Sequence, residues 1–507
     1  MKVCLVNDSF PPAIDGVANA VVNYGTYIPQ NGGEAVVVTP FYPDADDTVF
    51  PFPVVRYPSL DVTKAVGYRA GMPFDAEVLA KLKGEGFDLI HSHCPITSTM
   101  LARTLRDRIN RPIVFTYHTK FDIDIANAIR SRLIQEEAAR MLVQNISACD
   151  EVWTVSRGAG ENLRKLGYEG EYLVMPNGVD FPRGRVDGSA VAEATKDYDL
   201  PEDLPVFLFV GRMMWYKGIR IILDALKTLD EKGLDFRMVF VGGGTEKDEI
   251  VDYCASLDLG GKVFFTPPIR DRALIRAWYC RADLFLFPST FDTNGLVVRE
   301  AAACALGSVL VAGSCAAEDV SDGVSGVLIE ENAASMAAAL EALIGQREAM
   351  RAIGEGAQRE LYISWADAVA NAYARYGTVV ERYHSRGSAE RARGDDDFYH
   401  AVGEAIDRYN LAREYQRLAR ESAAMSYAGF VSGIEEETER MRAMQAEDTA
   451  VAAMKLEDLR SRVAAARLRV MTERQLLLAD AEALRADLRR RLESMLDDIR
   501  RPNDRFL

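Results

Sequence analysis

Short runs of β-branched and aromatic residues alternate with longer stretches of helical period up to about residue 385. The first series of strand candidates is Val3–Val6, Ala35–Val38, Asp88–Ile90, Ile113–Tyr117, Val152–Val155 and Tyr172–Val174. The pattern restarts at Val206–Val210 and continues through Met238–Val241, Val263–Phe265, Leu284–Phe287, Val309–Val311 and Val327–Ile329. Strands and helices in alternation give a parallel sheet wrapped by helices, so two such series predict two sheets. Between them, Pro176-Asn177-Gly178 and the polar stretch Arg183 to Pro205 have the composition of an interdomain connection.

Beyond residue 385 the pattern changes. The composition turns to Ala, Arg, Glu, Leu and Met with a single proline, Pro502, which predicts an α-helical extension over 386–507. Leu456, Val463, Val470, Leu477 and Leu484 recur every seven residues, but the companion positions Leu459, Ala466, Glu473 and Asp480 lose their apolar character. Long helices packed on the body or on one another, and a coiled coil joining two copies of the chain, both fit that pattern.

With 507 residues the chain suits two or three domains at about 150 residues each. Those expected are 1–180, 181–365 and 386–507, with a helix at 366–385 crossing back to the first. A formal charge of −16 disfavours bulk attraction to nucleic acid, so any anion site must be local. The longest uncharged stretch, Ala301–Ala317, is shorter than a bilayer span and contains two glycines. An apolar run at Val3–Val6 leaves no room for a charged leader segment, and a cytoplasmic location is expected. Seven cysteines, scattered and without CxxC spacing, suggest reduced thiols rather than a zinc site or disulfide framework.

In open α/β sheets, ligands bind beyond the C-terminal ends of the strands. At the first strand end of the second series stand Gly211-Arg212, then Lys217-Gly218 opening a helix. Two permanent cations beside the free N–H groups of a helix start suit a di- or triphosphate, although either alone would be an ordinary solvated residue. The next strand ends in Gly242-Gly243-Gly244, where backbone can approach a ligand closely. There is no GxxxxGK[ST], and no GxGxxG with an acid about twenty residues on, so neither a P-loop nor a dinucleotide fingerprint is present. Further on, the segment Pro288 to Glu300 leads from a buried strand into an Ala-rich helix. It offers Asp292 in the loop, Glu300 about a turn and a half into the helix, and the amides of Asn294, Gly295 and Leu296 between them. Two carboxylates so placed suit vicinal hydroxyls of ribose or hexose; taken singly, Asp292 would be a helix cap and Glu300 a surface residue.

This assembly of Gly-Arg and Lys-Gly, a glycine-rich strand end and two acids eight positions apart after Pro-Ser resembles the retaining nucleotide-sugar glycosyltransferases of family four. The resemblance covers about residues 1–384. It implies the GT-B fold, two Rossmann-like domains facing across a cleft, with acceptor in the first and nucleotide sugar in the second. Arg212 and Lys217 would then bind the pyrophosphate and neutralise charge on the departing nucleotide, with no metal and no cofactor required. Asp292 would contact donor-sugar hydroxyls, Glu300 the ribose, and Asn294, Gly295, Leu296 and Gly243 would offer backbone to sugar and phosphate. Where the family usually has Glu at the first acid, this chain has Asp292.

The resemblance extends to the first domain. Gly16, in Pro11-Pro12-Ala13-Ile14-Asp15-Gly16-Val17, would lie near donor phosphate and acceptor, and His118, after Ile113–Tyr117, would face the transferred hexose or the acceptor hydroxyl. Without the resemblance, His118, and likewise His91 and His93, would be structural. Many members have two consecutive glycines where this chain has only Gly16. The Gly-Val step and Asp292-Thr293-Asn294-Gly295-Leu296 are similar to bacterial diacylglycerol glucosyltransferases. Asp122-Ile123-Asp124 formally matches a metal-binding DxD but lacks the fold context for one.

The implied activity is hexosyl transfer, with UDP-glucose the expected donor and a membrane glycerolipid such as diacylglycerol the acceptor. A cell-wall or capsular polysaccharide intermediate is the alternative acceptor, and a nucleotide-sugar-binding scaffold with a partner-recruiting tail the alternative of another class. Lys120 to Arg140 interleaves apolar residues with Lys120, Arg130, Arg132 and Arg140; with Arg103, Arg106, Arg108 and Arg111 it could form a patch for peripheral contact with anionic membrane, or simply face a core.

Overall fold

The computed structural model describes residues 1–13, 15–63, 69–122, 125 and 132–385, together with isolated helical residues between 399 and 490. The heptad positions of the tail, Asp124 and Ile129–Arg130 lie outside the described residues. The first lobe contains strands β1 (Lys2–Val6), β2 (Glu34–Pro40), β3 (Val54–Tyr57), β4 (Ser59–Asp61), β5 (Arg69–Gly71), β6 (Leu89–Ser92), β7 (Ile113–Tyr117), β8 (Glu151–Thr154) and β9 (Tyr172–Val174). Seven of them form a sheet ordered β3-β2-β1-β6-β7-β8-β9, while β4 and β5 pair as a separate antiparallel ribbon. The helices of this lobe are α1 (Gly16–Tyr27), α2 (Ala76–Lys83), α3 (Thr97–Ile109), α4 (Arg132–Ser147) and α5 (Arg157–Lys165).

The second lobe opens with α6 (Gly188–Thr195), inside the stretch whose composition suggested only a connection; Asp187 caps it by accepting from the Ser189 amide at 2.8 Å. Strands β10 (Val206–Val210), β11 (Arg237–Val241), β12 (Val263–Thr266), β13 (Leu284–Phe287), β14 (Gly307–Val311) and β15 (Val327–Ile329) form a sheet ordered β12-β11-β10-β13-β14-β15. Its helices are α7 (Ile219–Glu231), α8 (Lys247–Ser256), α9 (Arg272–Arg281), α10 (Leu296–Ala303), α11 (Ala333–Leu343) and α12 (Arg347–Glu360). Every strand pair in both sheets is parallel, which demands helical crossovers and buries both faces. That is why the central strands are unbroken apolar runs, Val206–Phe209 and Leu284–Phe287 being fully buried.

The last described long helix, α13 (Trp365–Ser385), returns to the first lobe. Trp365, Ala368, Val369, Ala372, Tyr376 and Val379 join Val3, Leu5, Val21 and Tyr24 in one core. Arg375 and Arg382 meet Glu151 of β8 at 2.7 and 2.6 Å.

Strand β3 is absent from the sequence expectation because Arg56 cuts short its continuous apolar run. That guanidinium is held by Asp47 at 2.7 Å and donates to the carbonyls of Pro40 and Pro11, at 3.0 and 2.7 Å. A charge in a strand thus serves to anchor the loop that follows β1.

A second compact unit comprises Phe74–Gly86, Arg103–Asn110 and Ala392–Leu507. Within it, Arg108 donates to Asp407 at 2.7 Å, Arg103 lies over the Tyr399 ring at 4.1 Å, and Arg413 pairs with Glu77. Arg103 and Arg106 are buried, so these two do not supply an exposed basic patch. On α4, Arg132 and Arg140 are exposed but paired with Glu136 and Glu137, so the helix carries as many acids as bases.

Candidate active site

Two glycines bring the second-lobe loops together. Gly242, at the end of β11, has φ +148°, and a Cβ there would collide with the Gly211 carbonyl oxygen after β10. The two strand-end loops therefore lie backbone on backbone, with the Met213 amide donating to Gly243 at 2.9 Å. Gly218 has φ +75°, and its Cβ would sit 2.5 Å from the Pro288 carbonyl after β13. Absence of that carbon lets the start of α7 approach the loop that carries Asp292.

Lys217 consequently points into this loop. Its Nζ donates to both Asp292 oxygens, at 2.7 and 2.8 Å, and Ser289 Oγ donates to Asp292 Oδ2 at 2.6 Å. The lysine side chain is 9% exposed and the aspartate 22%. The rings of Tyr216, Phe287 and Phe291 stand 5.5, 5.7 and 5.9 Å from the ammonium. Such a low-dielectric wall strengthens any charge interaction made there. A largely buried ion pair adds little net stability over an apolar one, so its presence beside a glycine loop is informative about function.

Arg212 is exposed. Burial raises the Tyr216 hydroxyl pKa, and the charges of Arg212 and Asp292 act on it in opposite senses. The turn between the two cations is pinned by Glu246, whose Oε2 accepts from the Trp215 amide at 2.6 Å.

Glu300 belongs to a separate cluster. On α10 it accepts from Arg272 at 2.5 Å and from the Tyr279 hydroxyl at 3.1 Å. Burial raises its pKa against the opposing influence of Arg272 and Tyr279. Arg272 also reaches Asp180 at 3.7 Å and lies over Phe181. The sequence reading missed Arg272 and Tyr279; seven positions apart on one helix, they share a face, which was the available signal.

Between the two acids, Gly295 takes φ +57° as the N-cap of α10. The Asn294 side chain is buried, and neither its Nδ2 nor its Oδ1 has a hydrogen-bond partner. Thr293 is gripped from the first lobe: Ser156 Oγ, at the start of α5, donates to its carbonyl at 2.5 Å. Nearby, the amides of Arg157 and Gly158 donate to the Glu318 carboxylate at 2.6 and 2.5 Å, a carboxylate on a helix N-terminus.

In the first lobe, Gly16 opens α1 behind Asp15, whose side chain accepts from the Ala18 amide at 2.7 Å. A Cβ at Gly16 would meet no atom within 4 Å. His118, just beyond β7, is buried, and burial lowers its pKa to about 3. Its Nε2 lies 2.9 Å from Nδ1 of His93. His91 bridges the Tyr376 hydroxyl at 2.6 Å and Thr116 Oγ1 at 2.7 Å. Burial also drives the His91 and His93 pKa values well down, so all three imidazoles are neutral. Among the described residues, no three His, Cys, Asp or Glu side chains group as a metal site.

Two doubly wound parallel lobes, with a helix that returns from the second to the first, are the GT-B fold. Residues 14–183 match the model described as Glycosyltransferase Family 4, and residues 191–360 that described as Glycosyl transferases group 1. A D-inositol 3-phosphate glycosyltransferase of Geodermatophilus obscurus is 31% identical over 58% of this chain and 67% of its own. An alpha-monoglucosyldiacylglycerol synthase of Acholeplasma laidlawii is 23% identical over 66% of this chain and 85% of its own. Sucrose-phosphate synthase from Thermosynechococcus elongatus superposes with TM-score 0.59 at 21% identity, over 75% of this chain and 99% of that one. Anabaena HepE in complex with UDP and glucose gives 0.55 at 20% identity, over 76% and 98%. The chain belongs to glycosyltransferase family 4, and is a retaining hexosyltransferase.

Proposed function

We propose that the enzyme moves glucose from UDP-glucose to a membrane glycerolipid such as diacylglycerol, without a metal ion. The observation that carries the donor half is the Lys217 ammonium, walled by aromatic rings and neutralised by Asp292 beside a glycine loop. An arriving pyrophosphate would share Lys217 with Asp292 and take up Arg212, so that both cations stabilise charge as the phosphate departs. Asp292 would turn toward hexose hydroxyls and Glu300 toward the ribose, while Gly16, Gly243, Asn294, Gly295 and Leu296 line the approach. As the retaining family implies, the acceptor hydroxyl would attack on the face the nucleotide leaves. The departing phosphate oxygen takes the acceptor proton.

The lipid acceptor is supported by the Asp292-Thr293-Asn294-Gly295-Leu296 segment and by the relatives named alpha-monoglucosyldiacylglycerol synthase. No described helix is long and apolar enough to cross a membrane; in this reading the enzyme reaches its acceptor by peripheral contact. A second reading, transfer to a soluble polyol phosphate, is favoured by the relatives named D-inositol 3-phosphate glycosyltransferase. The deciding experiment presents UDP-glucose, UDP-galactose, GDP-mannose and UDP-N-acetylglucosamine against diacylglycerol vesicles and against D-inositol 3-phosphate, with products identified by mass spectrometry. Glucosyl-diacylglycerol from UDP-glucose supports the first reading; a glycosylated inositol phosphate with inert vesicles replaces it by the second.

A further inference from the structure

The three buried histidines are conventionally a packing feature, yet one of their nitrogens is left over. Nε2 of His118 and Nδ1 of His93 are 2.9 Å apart, too close for two protons or none. One proton lies between them, carried by one ring or the other. If His118 supplies it, neutral His93 must hold its own proton on Nε2. That nitrogen is buried and has no hydrogen-bond partner. If His93 supplies it, Nε2 is a bare lone pair, and an unsatisfied acceptor is tolerated in protein interiors more readily than an orphaned N–H.

The His93 ring is also locked. Its amide is tied to the Val6 carbonyl at 2.9 Å. The His91 ring packs on it with centroids 3.9 Å apart, and Tyr24 meets it at 5.2 Å. Turning the ring over would replace the nitrogen at the His118 contact by carbon and forfeit that hydrogen bond. His91 cannot change the balance, because both its nitrogens are engaged by Tyr376 and Thr116.

We propose that His93 is a positioning residue that fixes the proton of His118 on Nδ1, so that His118 meets the donor hexose as a hydrogen-bond donor and not as a base. Nε2 of His118 accepts from His93, Nδ1 is protonated, and no lone pair remains to receive a proton from the acceptor hydroxyl. Burial, which keeps both rings neutral, makes this assignment hold across the working pH range. Among the described residues no protein group partners Nδ1 of His118, so the N–H is available to a ligand oxygen. The part of the inference that names the hexose rests on the function proposed above; the proton assignment does not.

The chain has only five histidines, so a selectively ¹⁵N-histidine-labelled sample gives a readable long-range ¹H–¹⁵N spectrum. The wild-type protein without ligand should show His118, assigned by the loss of its signals in His118→Gln, as the Nδ1–H tautomer. In His93→Leu the His118 signals should move to the Nε2–H tautomer, and kcat/KM should fall about tenfold, the worth of one hydrogen bond. His93→Asn, whose amide can donate from the same place, should restore the Nδ1–H signals and most of the rate. His118 protonated on Nε2 in the wild type overturns the proposal, as does a His118 tautomer unmoved in a folded His93→Leu. Should no nucleotide sugar be turned over while the spectra behave as stated, the proton assignment stands and the functional reading fails.

Discussion

The two lobes meet the candidate site with opposite electrostatics. The second presents full charges in pairs, Lys217 with Asp292 and Arg272 with Glu300, and an exposed Arg212 just beyond the end of β10. The first presents His118 and His93, held neutral by burial, and the start of α1. Under the proposed function, charge would stand where a pyrophosphate gains charge on bond cleavage, and uncharged polar groups where a sugar or alcohol is handled. Fixed charges stabilise a charged leaving group by several kcal/mol in a dry site, whereas a hydroxyl gains from direction and distance more than from net charge.

The sharpest way to break this contrast is to remove the central cation. Lys217→Ala should lower kcat by about 10² to 10³ while the circular dichroism spectrum stays native, the range found when one transition-state charge stabiliser is lost. Undiminished turnover would refute the phosphate assignment. Asp292→Asn leaves a neutral hydrogen-bonding group of the same shape and should raise the donor KM about tenfold, read from initial rates at varied UDP-glucose. Unchanged kinetics would take Asp292 out of the site.

Glu300→Gln probes stability as well as binding. Burial raises the Glu300 pKa, so the folded state holds its proton to higher pH than the unfolded chain does. The resulting stabilisation is complete below the ordinary glutamate value and is lost as pH rises through the folded value. Urea midpoints measured upward from about pH 4.5 should therefore decline in the wild type relative to Glu300→Gln. Parallel profiles would show that Glu300 is not proton-retentive. The smallest effect is expected for Ser156→Ala, which removes the cap of α5 and the grip on Thr293. Stability should drop by about 1 kcal/mol in urea unfolding, with the donor KM rising by less than for Asp292→Asn. A loss of turnover as large as that of Lys217→Ala would move Ser156 into the catalytic machinery.

Much of the fold was legible because parallel strands, buried on both faces, cannot hide their composition. Ile113–Tyr117, Val206–Val210 and Leu284–Phe287 appear at the residues expected. Strand β3 and helix α6 were not legible: Arg56 breaks the one apolar pattern, and α6 rests on a cap and on contacts with α9 rather than on a strong face of its own. Of the candidates the sequence singled out, Arg212, Lys217, Asp292 and Glu300, the structure brings Lys217 and Asp292 into contact and leaves Glu300 with Arg272. The sequence did not mark Ser156, Glu246, Arg272 or Tyr279, because each acts on a residue far away along the chain. The basic segment was misjudged in part for the same reason, since counting arginines says nothing of which are buried or paired.

By itself the sequence determined the periods of the strands and helices, the glycines at strand ends and the types of charged residue available at each loop. These are local properties, fixed by sterics and by hydrophobic spacing within a few residues. The tertiary structure alone decided that Lys217 contacts Asp292, that Glu300 joins Arg272 instead, and that two histidines share one proton. Those outcomes depend on which loops are brought within 3 Å of one another and on how much water is excluded there, and desolvation has no signature in the order of residues along the chain.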